Sequence, residues 1–380
     1  MKKIRILQLL TLVVLVCSCG RKNAAFEPGD IFYQPAYAEG FAIYEAGEQS
    51  RAVRITDPWQ GASDVEQWVF VSLGGEDPPP NFDGTVVRAP ARRIVCMSSS
   101  YVAFISHLGA GDRIVGVSGA GFITDPPVSE RWKAGDVADV GYENNLNFEI
   151  IASLRPDLML IYGVADDGGQ ATGKYREMGV PYVFIGDYLE ESPLGKAEWI
   201  VAIAEMCGLY DRGTEDFAAI SESYNRLKRE AAGFPERPEV MFNAPYRDTW
   251  YVPGDRSYMV RLVRDAGGEY VCRGIDSRDS RPINVEEAYD YMQKTDYWIN
   301  TNHYATLADL LADNPRFAAT PPVHLGHVFN NNARTTPAGG SDYWESGVVR
   351  PDAVLRDLIE ILHPGEFSAD STLYYYKKLQ

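Results

Sequence analysis

Several residues of this chain have side chains that could perform acid–base or nucleophilic chemistry. The acidic pairs Asp166-Asp167 and Glu190-Glu191, together with Glu345, could supply a general acid and a general base. Ser98-Ser99-Ser100 follows a short apolar run and could present a hydroxyl nucleophile. The sequence has no GxSxG motif and no pattern that pairs serine with histidine and aspartate. A hydrolase is therefore the less favoured interpretation, and binding without turnover is the better one.

Metal binding is a second chemistry that the residue types allow. Among the five histidines, His324 and His327 form the close pair, in PPVHLGHVF beside a predicted strand. An accompanying cluster of acidic residues and histidines, as a zinc or manganese site requires, is missing from the sequence. Cys96, Cys207 and Cys272 lack CxxC spacing, so we expect buried free thiols. One disulfide between two of them is the alternative that the sequence leaves open. No site for a bare metal ion is predicted.

Aromatic side chains and arginines near predicted strand ends suit a large ring, a catechol or a charged chelate. We expect a binding cleft lined by Ser99, Tyr101, Phe122, Tyr142, Tyr162, Tyr246, Arg247, Trp250, His303, Arg334 and Trp344. The strongest candidates are Tyr162, Trp250 and Trp344. Each aromatic residue could instead fill part of the core. Convergence of Arg247 and Arg334 would favour a chelate of net negative charge, whereas wide aromatic walls would favour a large ring.

A scaffold of alternating strands and helices must bring these residues together. From Arg93 onward, short apolar strands alternate with helical patterns, which predicts mostly parallel sheets. A longer helix over 214–232, with Thr214 as its N-cap, should span about 28 Å and separate two such regions. The sequence therefore predicts an α/β fold of two Rossmann-like lobes joined by one long rigid helix. A ligand would bind between the lobes, at the carboxyl ends of the strands.

The region before the first lobe differs in composition. Residues 26–90 alternate short apolar runs with Gly, Pro and Asp, which predicts a small β-rich extension. We predict the following organisation: a signal peptide over 1–18, an anchor and β-rich extension over 19–91, a first α/β lobe over 92–212, a linking helix over 213–234 and a second α/β lobe over 235–380.

The amino terminus, MKKIRILQLLTLVVLVCSCG, predicts export and lipidation. Lys2, Lys3 and Arg5 precede the apolar run Ile6–Val16, which is too short for a comfortable membrane span. Cys19 follows a small residue and resembles the lipidated cysteine of a bacterial lipobox. The alternative is an ordinary signal peptide with an incidental Cys19. We expect a periplasmic protein anchored by a lipid to a bacterial membrane.

Composition and charge limit the possible partners. The 380 residues, 45% of them hydrophobic, provide material for two ordinary domains. A net charge of −17 argues against binding nucleic acid or an anionic membrane face, because both need a basic patch. Small molecules and basic protein surfaces are the expected partners.

Four segments together resemble the periplasmic cobalamin and iron-siderophore binding proteins of ABC importers. They are RIVCMSSSYVAFISHLGAGDRIVGVSG, LNFEIIASLRPDLMLIYG, the helix over 214–232, and RPDAVLRDLIEILHP. YAEGFAIYEAG, DPWQGA and SDYWESGVVRPD are similar to lipoprotein members from the Bacteroides group. The resemblance covers the chain from Arg92 to about Pro364. It implies capture of an iron or cobalt chelate and its delivery to an ABC permease and ATPase, without catalysis or a cofactor.

The resemblance also implies two residues that dock on the permease. In that family one glutamate on each lobe pairs with permease arginines, and the matching positions are Glu149 in LNFEII and Glu286 in NVEEAY, with Glu287 adjacent. A solvated acidic helix start is the plain alternative. A haem or bare metal-ion binding protein, and a passive cobamide or haem store, stay open as other functions.

Overall fold

The computed structural model describes residues 26–142, 145–163, 170–247, 249–366 and 372–380. The predicted signal peptide, Cys19 and the pair Asp166-Asp167 lie outside these residues. Within them, no helix combines the length and apolar character needed to cross a membrane.

The extension forms a sheet of its own with strands in the order β1-β2-β3-β4-β5. Neighbours pair antiparallel from β1 to β4, and β5 adds in parallel to β4. The predicted β-rich character of this region is therefore confirmed. The strands are β1 Ile31–Tyr33, β2 Phe41–Glu45, β3 Ser50–Thr56, β4 Glu66–Ser72 and β5 Thr85–Arg88.

The first lobe is built on a parallel sheet in the order β10-β9-β6-β7-β8. All four residues of the central strand Leu158–Ile161 are buried, as expected for a strand covered on both faces. The elements are β6 Ile94–Cys96, α1 Ser99–His107, β7 Ile114–Val117, α2 Pro126–Ala134, β8 Ala138–Asp139, α3 Phe148–Leu154, β9 Leu158–Ile161, α4 Gln170–Glu177, β10 Tyr182–Phe184 and α5 Pro193–Met206.

The long helix α6, Tyr210–Ala232, has 23 residues and spans about 34 Å. Its predicted apolar face, including Phe217 and Tyr224, is buried, and the helix packs against α5. The Tyr224 hydroxyl donates to the Asp265 carboxylate of the second lobe at 2.8 Å. The prediction that Thr214 caps it is wrong, because the helix starts one turn earlier. Thr214 lies inside the helix, and its hydroxyl donates back to the carbonyl oxygen of Asp211 at 2.8 Å.

The second lobe carries a sheet in the order β13-β11-β15-β16-β17, parallel except for β17, and the antiparallel pair β12-β14. The predicted α/β fold with mostly parallel sheets is confirmed. The elements are β11 Glu239–Phe242, β12 Thr249–Val252, α7 Tyr258–Asp265, β13 Glu269–Tyr270, β14 Arg281–Asn284, α8 Val285–Met292, β15 Tyr297–Ile299, α9 Leu307–Asp313, α10 Pro321–Leu325, β16 Val328–Asn330, α11 Pro351–Leu362 and β17 Lys377–Lys378.

The two lobes repeat one structural unit. The order β7-β6-β9-β10 in the first lobe corresponds to β13-β11-β15-β16 in the second, and α3 corresponds to α8. Asp157, just before β9, accepts a hydrogen bond from the backbone N–H of Arg93 at 2.9 Å. Asp296, just before β15, accepts one from the backbone N–H of Glu239 at 2.8 Å. In both lobes an aspartate thus fixes the start of the neighbouring strand.

Buried carboxylates of the first lobe hold the extension in place. The fully buried Glu198, on α5, accepts hydrogen bonds from the Tyr33 hydroxyl and from the backbone N–H groups of residues 36–38, at 2.7–2.8 Å. Glu190 accepts one from the backbone N–H of Gly40 at 3.0 Å. Charge-assisted hydrogen bonds to backbone donors are strong, so the extension is a docked domain and not a loose tail.

Candidate functional site

The serine run after β6 begins a helix. The Ser98 hydroxyl accepts a hydrogen bond from the backbone N–H of Ser100, and Ser99 is the half-buried first residue of α1. Tyr101 is 1% exposed, and its hydroxyl donates to the carbonyl oxygen of Ile185 at 3.0 Å. The prediction that Tyr101 lines a cleft is therefore wrong, because its ring belongs to the core of the first lobe.

Two predicted aromatic residues stand together at the carboxyl edge of the first-lobe sheet. Phe122 follows β7 and Tyr142 follows β8; their side chains are 41% and 46% exposed. The ring centroids lie 5.6 Å apart. Tyr162, directly after β9, is half-buried and lines a cavity on the side of the extension. Phe122 and Tyr142 thus offer an aromatic surface, and Tyr162 faces different surroundings.

Trp250 requires a correction. Its side chain is 0% exposed, and its indole N–H donates to the carbonyl oxygen of Phe242 at 2.7 Å. The ring packs against Trp298 and Phe317, with centroid distances of 5.5 and 5.2 Å. Trp250 is therefore a core residue of the second lobe and presents no face to a ligand.

The other candidates after β11 and β15 are on the surface. Tyr246 is 62% exposed, and Arg247 lies over its ring at 5.2 Å. Arg247 also borders a shallow cavity of about 330 Å³ that includes Glu286. His303 is exposed, with its ring 4.3 Å from that of Tyr304.

The two arginines expected to converge on a ligand have different surroundings. The Arg334 guanidinium bonds to the Asp342 carboxylate at 2.7 Å and lies 4.6 Å from the Tyr374 ring. Arg334 therefore already has a carboxylate partner, whereas Arg247 belongs to the surface around Glu286.

Trp344 lies at the seam between the lobes. Its side chain is 49% exposed, and it borders a cavity of about 60 Å³ together with Asp187 and Lys196 of the first lobe and Tyr258 of the second. The Lys196 ammonium sits 4.7 Å from the Tyr258 ring. A half-exposed indole at such a seam can contact a ligand and both lobes.

Glu345, next to Trp344, connects the second lobe to the first at the same seam. Its carboxylate accepts hydrogen bonds from the backbone N–H groups of Thr124 and Asp125 in the first lobe, at 2.7 and 2.6 Å. Nearby, the Thr336 hydroxyl donates to the carbonyl oxygen of Gly121 at 2.8 Å. Burial raises the pKa of Glu345 to about 7, although the two N–H donors act in the opposite direction. This carboxylate therefore titrates near neutral pH.

Asparagines at the strand ends of the second lobe were missed. β11 is followed by Asn243 and β15 by Asn300, both with positive φ of 66° and 55°, and Asn331 follows β16. Within the described residues, the buried Asn300 Oδ1 and Asn331 Nδ2 have no hydrogen-bond partner. Unsatisfied buried polar atoms are costly, so these two amides are exceptions to the usual pairing of buried polar groups. The MFN and WIN segments were the sequence signal for Asn243 and Asn300.

Glu149 and Glu286 occupy the same position of the repeated unit. Each is the second residue of its helix, α3 or α8, and each helix is capped by an asparagine side chain, Asn147 or Asn284. Glu149 is exposed, and the Glu286 side chain is 77% exposed, 3.3 Å from the Arg316 guanidinium. Glu287 instead pairs with its own lobe's Arg281 at 2.9 Å. The two matching carboxylates are thus presented to solvent.

In the described part of the chain, no group of three or more His, Cys, Asp or Glu side chains is arranged to hold a metal ion. The His327 ring stacks on Tyr297 with a centroid distance of 4.4 Å. Cys96, Cys207 and Cys272 are buried and unpaired, which answers the disulfide question left open by the sequence.

Comparisons with known proteins agree with this architecture. Residues 94–335 match the family model described as a periplasmic binding protein. An uncharacterised lipoprotein of Methanocaldococcus jannaschii is 25% identical over 352 residues, covering 85% of this chain and 81% of the relative. A second uncharacterised lipoprotein of that organism is also 25% identical, covering 90% and 86%.

Solved structures share the fold. The periplasmic heme-binding protein of Roseiflexus has a TM-score of 0.56 at 22% identity, covering 72% of this chain and 98% of the other. The periplasmic vitamin B12 binding protein of Vibrio cholerae has a TM-score of 0.54 at 15% identity, covering 73% and 99%. The family match spans well over half of the residues. This chain therefore belongs to the periplasmic binding protein family.

Proposed function

We propose that this protein is the substrate-binding lipoprotein of an ABC importer. It captures a ferric siderophore or a cobalamin-like chelate between its two lobes and delivers it to an inner-membrane permease driven by an ATPase. Cys19 is the lipidated residue that anchors it in the periplasm. Two relatives named as lipoproteins support the anchor, and membership of the periplasmic binding protein family supports the capture role.

The observation that carries the proposal is the equivalent placement of Glu149 and Glu286. One exposed carboxylate stands at the second position of the same helix in each lobe. A partner that contacts both carboxylates at once recognises the arrangement of the two lobes. Basic residues on that partner would also be steered by the net charge of −17. This is the chemistry that docking on a permease requires.

The surfaces at the strand ends support a chelate as ligand. Phe122 and Tyr142 supply aromatic faces from the first lobe, and Trp344 supplies an indole at the seam. A large ligand with conjugated faces would stack on these exposed rings.

The test is a binding titration of the mature chain, residues 19–380, with Cys19→Ser to prevent acylation. Cyanocobalamin, ferric catecholate and hydroxamate siderophores, haemin, zinc and manganese are titrated, and tryptophan fluorescence is checked by equilibrium dialysis. Haemin belongs in the panel because one structural relative is a heme-binding protein. We expect saturable binding of one siderophore or corrinoid. Binding of haemin alone, of a bare ion alone, or of nothing would contradict the proposal.

A further inference from the structure

A cavity of about 1000 Å³ lies between the extension and the first lobe. Its described lining comes from these two parts of the chain and includes no residue beyond Phe184. It is therefore distinct from the seam at Trp344. Part of its wall, around Trp59 and Trp68, precedes residue 94, where the family match begins. We call this space the extension cavity.

The cavity exists because the extension meets the first lobe through side chains. The Gln67 amide donates to the carbonyl oxygen of Tyr182 at 3.0 Å and accepts from the backbone N–H of Phe184 at 2.9 Å. The Thr85 hydroxyl also donates to the Tyr182 carbonyl, at 2.9 Å. Direct strand pairing would bring the backbones to about 4.8 Å. Two side chains serve as spacers between β4–β5 and the edge strand β10, so a gap stays open.

A row of aromatic rings lines the gap. Trp59 lies 5.1 Å from Phe184, Phe184 lies 6.0 Å from Tyr182, and Tyr182 lies 5.8 Å from Tyr175, measured between ring centroids. All four residues border the cavity. Successive rings are tilted by 53°, 90° and 54°, so a flat ligand can stack on one ring while the neighbouring rings contact it through their edges. The row is much longer than one six-membered ring, which favours a fused or macrocyclic ring system over a single ring.

The position of Trp59 is fixed before any ligand arrives. A Cβ atom added at Gly163 would come within 2.5 Å of the Trp59 Cβ, so the two residues are in close contact. The backbone N–H of Gln60 donates to the Gly163 carbonyl at 3.4 Å, and the Tyr188 hydroxyl donates to the same oxygen. A preformed wall reduces the ordering cost of binding.

Charges around the cavity are balanced. The Glu66 carboxylate lies 3.7 Å from the Arg54 guanidinium and accepts a hydrogen bond from the Trp68 indole at 3.0 Å. Arg176 at the rim is attracted by Asp83 and donates to the Tyr182 hydroxyl at 3.1 Å. With both signs present at the rim and aromatic faces inside, the site suits a ligand without a large net charge.

We propose that the extension cavity binds a planar conjugated ring molecule, at a site separate from the cleft between the lobes. Its volume falls at the upper end of the range of about 300–1000 Å³ typical for small-molecule sites. The Trp59–Phe184–Tyr182 row supplies one stacking face and the ring edges beside it. The proposal does not depend on the transport function, because the residues concerned are different.

The test uses octaethylporphyrin, a metal-free porphyrin without carboxylate groups, as the probe and the mature chain with Cys19→Ser. Trp59→Ala removes one wall, and Val65→Phe fills the cavity without deleting a wall. Trp132→Ala, on α2 and outside the cavity, is the matched tryptophan control, and Trp344→Ala tests whether the probe occupies the seam between the lobes instead. Affinity is measured from the shift of the porphyrin absorption band, and circular dichroism with urea midpoints confirms that each variant folds.

We expect saturable binding that both Trp59→Ala and Val65→Phe weaken at least tenfold, while Trp132→Ala changes it less than twofold. Absence of saturable binding would overturn the proposal. So would binding that Val65→Phe leaves unchanged, or binding that Trp344→Ala alone abolishes, since the probe would then occupy the cleft. If Trp59→Ala does not fold, Val65→Phe decides between these outcomes.

Discussion

The Glu345 carboxylate of the second lobe accepts a hydrogen bond from the backbone N–H of Asp125 in the first lobe, at 2.6 Å. Asp125 is itself the N-cap of α2, so Glu345 meets the first lobe at a helix start. The side chain is 2% exposed, and burial raises its pKa to about 7. The seam between the lobes thus contains a carboxyl group that gains or loses its proton near neutral pH.

The first prediction concerns stability and pH. Between pH 4.5, the usual pKa of glutamate, and about pH 7, folded Glu345 keeps its proton whereas the unfolded chain has lost it. The contribution of Glu345 to the free energy of unfolding therefore falls as pH rises through this window, by at most about 3 kcal/mol. Glutamine at position 345 cannot titrate, so the free energy of unfolding of Glu345→Gln, relative to that of wild type, should rise with pH. Urea unfolding of both proteins from pH 4.5 to 7.5 measures this difference in the free energy of unfolding. A difference that stays constant across the pH range would refute the prediction.

The second prediction compares two tryptophans. Trp344→Ala should weaken chelate binding at least tenfold and leave the urea midpoint nearly unchanged, because the indole is half-exposed at the seam. Trp250→Ala should lower the free energy of unfolding by about 3–5 kcal/mol, because it removes a fully buried ring. Titration calorimetry and urea unfolding separate the two effects. Unchanged affinity in Trp344→Ala would remove this residue from the binding surface.

The third prediction tests docking. The double variant Glu149→Ala/Glu286→Ala should bind the chelate normally and fail to stimulate the ATPase of the cognate transporter in proteoliposomes. Glu287→Ala is the matched control, because Glu287 is adjacent but its side chain is 36% exposed, against 77% for Glu286. Normal transport with the double variant would contradict the assignment. So would an equal loss of transport with the control.

The fourth prediction concerns the extension. Glu198→Gln removes the charge that four donors share, so the extension should detach more readily from α5. We expect faster proteolytic cleavage between residues 26 and 93 and a free energy of unfolding lower by about 2–4 kcal/mol. Glu222→Gln, at an exposed position of α6, should behave like wild type. Equal cleavage rates for the two variants would contradict this.

The fifth prediction concerns the thiols. Burial raises the pKa of Cys207 and of Cys272 to about 12, and raises that of Cys96 further. A thiol reagent such as DTNB reacts with the thiolate, so the native mature chain carrying Cys19→Ser should give almost no product at pH 8. In guanidinium without reductant all three thiols should react. If only one thiol reacts in guanidinium, the other two cysteines form a disulfide.

Much of the fold could be predicted from hydrophobic periodicity and from the Gly, Pro and capping residues at which elements begin and end. The alternation of short apolar strands with helical patterns predicted the mostly parallel sheets, because caps and short apolar runs mark the ends of elements such as strand Tyr297–Ile299 and helix Tyr258–Asp265. Helix α6 began earlier than predicted, at Tyr210, because Thr214 can bond inside a helix as well as cap one.

The candidate site was harder to predict than the fold. Trp250 and Trp344 both stand near turns in the sequence, yet one packs on Trp298 and the other lies on the seam. Only long-range packing decides between these environments, and a single sequence does not encode it locally. The asparagines after β11 and β15 were detectable, because an asparagine directly after a strand tolerates positive φ.

The attachment of the extension to Glu198 has a consequence for the order of folding. The donors at Tyr33 and residues 36–38 lie more than 150 residues before their acceptor. During synthesis and export the extension emerges first, but its docking contacts form only after α5 has followed it. Contacts of such separation carry a large loop-closure cost and form late. The strands that appear earliest in the nascent chain thus reach their final place only after α5 has been made.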